Sequence, residues 1–135
     1  MGGVDWAGEA WQEEGDEMTF ETARAHCLAL PQVEETVPFG PEALVYKVAG
    51  KMFALLIPDE VPVRMNLKCD PEWALELRDR YESILPGYHM SKKHWNTLML
   101  DGTLPSKLVR ELIEHSFDLV VASLPKKVRA EYQRS

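Results

Sequence analysis

Residues 63–72 read VRMNLKCDPE, and the order of residue types in them decides the fold class. Val63, Met65, Leu67 and Cys69 alternate with Arg64, Asn66 and Lys68. Successive side chains of a strand point to opposite faces, so this spacing predicts a strand with one apolar and one polar face. The alternation ends at Asp70-Pro71-Glu72. There an N-cap residue is followed by a proline suited to the first helical position, then by an acid facing the positive end of the helix dipole. A helix is therefore expected from Pro71, with Trp73, Leu77 and Tyr81 along one face. A half-polar strand feeding an amphipathic helix points to an antiparallel sheet in an α+β fold.

Towards the N-terminus, residues 43–49 and 52–57 are strand-like runs flanking a tight turn at Gly50-Lys51. Residues 34–41 read as irregular or extended, broken by Pro38, Gly40 and Pro41. Thr19 caps a first helix in which Phe20, Ala23, Cys27 and Leu30 recur at helical spacing before Pro31 stops it. Towards the C-terminus, the Pro86-Gly87 turn precedes two extended runs, 88–92 and 95–100, and Asp101-Gly102 closes the second. Pro105 opens a long helix whose inner stripe is Leu108, Leu112, Phe117, Val120 and Leu124. Residues 126–133 read as a short basic final helix. The expected order is α-β(3)-α-β(2)-α, with helices covering one face of the sheet and the other face open. Met65, Leu67, Trp73, Leu77, Trp95 and Leu112 are expected to share one cluster.

The net charge of −7 is unevenly placed. Residues 1–17 hold Asp5, Glu9, Glu13, Glu14, Asp16 and Glu17 and no Lys or Arg; without them 16 acidic residues face 15 basic ones. Residues 1–17 thus read as a disordered acidic leader, and 18–135 as a single, nearly neutral domain. A leader competing for basic surface on that domain is the alternative. No apolar run approaches the roughly 18 residues of a membrane helix, and no secretory signal opens the chain. Two cysteines without paired spacing, Cys27 and Cys69, fit reduced thiols in a cytoplasm.

The residue patterns of catalysis are missing from the sequence. Adjacent His26 and Cys27 diverge on a helix, and Lys92-Lys93 between His89 and His94 repel a cation, so no metal site is expected. Both cysteines lie in apolar patterns, and no glycine-rich phosphate loop occurs, so neither an enzyme nor a bound cofactor is expected. Binding is the better-supported class. Arg64, Asn66 and Lys68 share a strand face, and Lys92, Lys93 and His94 form a basic triplet. Such residues can track phosphates, with Asn66 reaching a base edge. The competing reading is an ordinary solvated sheet face. Trp95 begins an alternating strand with Thr97 and Met99 and reads as structural, core or half-core, rather than as a platform for a ring.

Residues 67–72 (LKCDPE), 88–95 (YHMSKKHW) and 100–105 (LDGTLP) give the chain a resemblance to the MmcQ/YjbR family of small bacterial proteins. The resemblance covers the chain from Met18 to Tyr132 and implies a secretion-chaperone-like strand and helix order, with a double-wing DNA-binding role. DNA is accordingly the first partner expected, through Arg64, Asn66, Lys68, Lys92, Lys93 and His94. A protein or peptide, bound by an adaptor, is the second. The oligomeric state is left open.

Overall fold

The computed structural model describes residues 17–40 and 42–132. The chain runs through helix α1 (Phe20–Leu28), strands β1 (Glu34–Thr36), β2 (Leu44–Val48), β3 (Lys51–Ile57) and β4 (Val63–Lys68), then helix α2 (Pro71–Arg80). Strands β5 (Ile84–Pro86) and β6 (Trp95–Leu100) follow, and helices α3 (Ser106–Ala122) and α4 (Lys126–Arg129) close it. The strands form one antiparallel sheet of order β1-β2-β3-β4-β6-β5. The expected acidic leader falls, but for Glu17, outside the described residues. None of the described helices is long and apolar enough to cross a membrane.

Local signals place the helices as their sequences dictate. Thr19 and Thr22 close a reciprocal capping box at the start of α1. Asp70 Oδ2 accepts the Trp73 N–H at 3.1 Å, and Pro71 opens α2. The β2–β3 turn falls one residue earlier than expected, at Ala49-Gly50, because both residues take positive φ (50° and 79°) as a two-residue hairpin of this hand requires.

Register sorts the side chains into two faces. Leu44, Leu56, Met65, Leu98 and Ile84 form one row, beside Tyr46, Ala54 and Leu67, and helices α1, α2 and α3 bury this face. A bulge in β3 turns Phe53 to the same side as Ala54, where its ring meets Phe117 of α3 edge-on at 5.5 Å. Ser116 Oγ, fully buried, donates to Phe53 O (2.5 Å) and accepts from Lys68 N (2.9 Å), so the irregular carbonyl and the end of β4 are both satisfied.

Besides the shifted turn, three expectations change. Glu34–Thr36 is an edge strand, held where Glu35 meets Arg24 of α1 (2.7 Å) and the Tyr46 hydroxyl (2.8 Å). Residues 88–92 are not a strand: β5 lies earlier, at Ile84–Pro86, and a loop follows it. At the break the chain lies so close to β6 that only glycine fits, since a Cβ on Gly87 would stand 2.7 Å from that of Trp95. Trp95 is half-buried and pairs with Lys68, on the face opposite Met65 and Leu67, so it lies outside the expected cluster.

Leu67 is 1% exposed, in the central strand of the core, and Leu67→Ala should cost about 2–5 kcal/mol in urea unfolding. His115 supplies a pH dependence. Its Nε2 accepts the Asp70 N–H (3.1 Å) and its ring stands edge-on to Trp73, an arrangement that needs the neutral imidazole. Burial holds His115 below its usual value, against the opposing pull of Asp70 and Asp118. A depressed folded value means that the unfolded chain takes up the proton first. The stabilisation is therefore complete above about pH 6.5 and is lost as pH falls through the folded value. Stability measured from about pH 7.5 down to 5 should decline more steeply in the wild type than in His115→Gln.

Candidate nucleic-acid interface

The face of the sheet without helices is crossed by the row Thr36, Val45, Leu55, Asn66, Thr97, Leu85. Asn66 and Thr97 are only 1% and 2% exposed. Two buried polar side chains on such a face require partners, and the loop 87–94 supplies them. Thr97 Oγ1 donates to Asn66 Oδ1 (2.6 Å) and accepts the Tyr88 N–H (2.9 Å). Asn66 Nδ2 donates to Tyr88 O (3.4 Å) and to Met90 Sδ (3.1 Å). Both backbone groups of Tyr88 are thereby fixed.

The far end of the loop is held from the helical side. Arg78 of α2 donates through Nε to Asn96 Oδ1 (2.7 Å) and through its terminal nitrogen to Trp95 O (3.2 Å) and to Lys92 O. Cys69 N donates to His94 O (2.8 Å), which sets the triplet beside the end of β4. Lys68 is the register partner of Trp95, so it borders the same corner. A recess of about 410 Å³ between α2 and the triplet is lined by Pro71, Glu72, Leu75, Arg78, Lys92 and Lys93.

The sequence-derived site residues are thus gathered around one loop, with one exception. Lys92, Lys93 and His94 are exposed, and Lys68 is half-buried. Arg64 lies four residues up β4 from Lys68, about 13 Å away at strand rise. Its side chain is 30% exposed; the guanidinium stands 5.5 Å from the Tyr88 ring centroid and makes a long ion pair with Glu60 (3.8 Å). Asn66 is the exception. Its alternation placed it correctly on the outer face, but the loop roofs it, and its amide is spent on Tyr88, Met90 and Thr97. It supports the loop and does not reach a base edge.

Tyr88 and His89 join the candidate site. Tyr88 is 54% exposed, and the His89 ring lies 4.0 Å from it with planes tilted by 52°. His89 has φ 61°, the left-handed region that a histidine enters at a cost and that the fixed loop maintains. Their signal in the sequence was the crowding of Gly87, two aromatic rings and three basic residues. Arg78 and Thr97 carried none, since one reads as a helix-surface charge and the other as a strand residue. Both cysteines are buried, which pushes the Cys27 thiol up to about 12 and the Cys69 thiol up to about 11.

The YjbR family model matches residues 28–119, from the end of α1 through most of α3. The chain belongs to the YjbR family. It is 44% identical over 107 residues to the Escherichia coli O157:H7 protein YbdF, covering 79% of this chain and 88% of that one. It is 33% identical over 112 residues to YjbR of Escherichia coli K12, covering 83% and 95%. The crystal structure of Deinococcus radiodurans protein DR2400 superposes with a TM-score of 0.81 at 43% identity, over 86% of this chain and 88% of that one. The α+β sheet with an open face is therefore shared with a solved relative.

If the Asn66–Thr97 pair fixes the loop, Asn66→Ala should free it locally. Hydrogen exchange at Tyr88 and the following amides should accelerate strongly, with exchange in the β2–β3 hairpin changing far less. Loss of the buried partners should cost about 1–3 kcal/mol in unfolding experiments. Unchanged protection at Tyr88 would contradict the assignment.

Proposed function

We propose that this YjbR-family chain binds nucleic acid, DNA foremost, through the loop 87–94, without a catalytic step. The observation that carries the reading is that one loop, fixed at both ends, presents exposed Lys92, Lys93 and His94 together with an exposed Tyr88. Lys68 and Arg64 flank it on β4. A loop already ordered before binding avoids most of the entropy cost of closing on a ligand. The assigned roles are phosphate contacts for Lys68, Lys92, Lys93, His94 and Arg64, and loop support for Asn66, Thr97 and Arg78. Buried, weakly acidic thiols agree with a role free of covalent chemistry and with a reducing cytoplasm.

Phosphate contacts release counterions, so each should add roughly 0.7–0.9 to the slope of log affinity against log salt. Replacing Lys68, Lys92 and Lys93 together by Ala should remove most of that slope and nearly all low-salt binding. The melting temperature should barely move, since none of the three is buried. Fluorescence anisotropy with labelled oligonucleotides measures both. No binding by the wild type at tens of micromolar, where weak non-specific association is roughly detectable, would overturn the reading. It would also turn attention to a peptide in the recess beside Leu75, which is 63% exposed.

A further inference from the structure

We infer that the ligand of the loop is single-stranded nucleic acid, with an unpaired base stacked on the Tyr88–His89 ring pair, which presupposes the nucleic-acid role proposed above. Four observations converge on it. The Tyr88 backbone is held in place on the sheet, its N–H by Thr97 Oγ1 and its carbonyl by Asn66 Nδ2. The residue nevertheless stands 54% exposed. The Arg64 guanidinium stands over one face of the ring, 5.5 Å from its centroid, and adds positive charge there, which leaves the rest of the ring pair to a base. The His89 ring, at 4.0 Å and tilted by 52°, makes a step of two non-parallel rings instead of a flat stack.

A ring step of this kind takes a flat aromatic partner, and bases in a duplex have both faces covered by their neighbours. Only an unpaired base offers one. The layout of the fold points the same way. Helices α1, α2 and α3 bury the opposite face of the sheet, and α2 borders the loop at Lys92 and Lys93. Leu85 and Met99, both on the outer face near the loop, give an apolar margin that suits base faces better than a phosphate surface. Lys92, Lys93 and His94, three to six residues beyond the rings, then lie where the strand's backbone leaves the stacked base. Every base has an aromatic face, so the site should tolerate most sequences.

The test uses the full chain and a labelled oligonucleotide of about a dozen nucleotides at low salt, in three forms. These are the single strand, its duplex, and a strand of equal length made of abasic sites, which keeps the phosphates and loses the bases. The wild type should bind the single strand several-fold more tightly than the duplex and the abasic strand. Tyr88→Ala should weaken single-strand binding by roughly 5- to 150-fold, with a far smaller loss for the duplex and the abasic strand and the same salt slope. Tyr88→Phe should bind like the wild type. Should Tyr88→Ala not fold, the comparison of normal with abasic strands decides on the wild type alone. Equal affinity for all three ligands overturns the single-strand assignment and leaves the nucleic-acid role standing; no binding to any of them overturns both.

Discussion

The buried hydrogen bond from Thr97 Oγ1 to Asn66 Oδ1 governs the face of this protein that lacks helices. Two polar side chains from adjacent strands are almost fully removed from water there, and their remaining hydrogen-bonding capacity must be met within the fold. The backbone of Tyr88 meets it. The loop after β5 therefore lies across the sheet and does not continue as a strand, and the Tyr88 and His89 rings are turned outward. Without that pair, the outer face would be an ordinary half-apolar surface, and the start of the loop would have no buried anchor.

Arg78 closes the same loop from the other side of the sheet. Asp70 and Pro71 fix where α2 begins, so Arg78 arrives beside Asn96, Trp95 and Lys92. His115 on α3 adds a third tie to that helix start by accepting the Asp70 N–H. The helical core and the outer loop are thus joined through a few polar contacts at the β4–α2 junction, and packing of the core is transmitted to the position of the loop. Basic residues are thus brought together by geometry in a body whose acidic and basic residues nearly balance.

Much of this was legible in the sequence, and the exceptions have physical causes. The alternation of residues 63–69 gave the two faces of β4, and the caps at Thr19 and Asp70 gave two helix starts, because these signals act over a few neighbouring residues. The YHMSK segment was read as extended since nothing local reports that Gly87 abuts Trp95 or that His89 takes a left-handed backbone. Asn66 was assigned to solvent because period two tells which face a side chain occupies but not what covers that face. Trp95 was expected in the core cluster because it opens an alternating strand, whereas its register with Lys68 puts it, half-buried, on the outer side. The edge strand Glu34–Thr36 depends on Arg24 and Tyr46, partners about eleven residues away on either side.

Amide chemical-shift mapping tests the central claim most directly, because it locates the ligand without altering the protein. A ¹⁵N-labelled sample titrated with a short single-stranded oligonucleotide should show its largest perturbations at residues 88–94, with further shifts at Arg64 and Lys68 and little change on α1 or α3. Perturbations centred on the helical face, or a loop that remains silent while the oligonucleotide binds, would contradict the account.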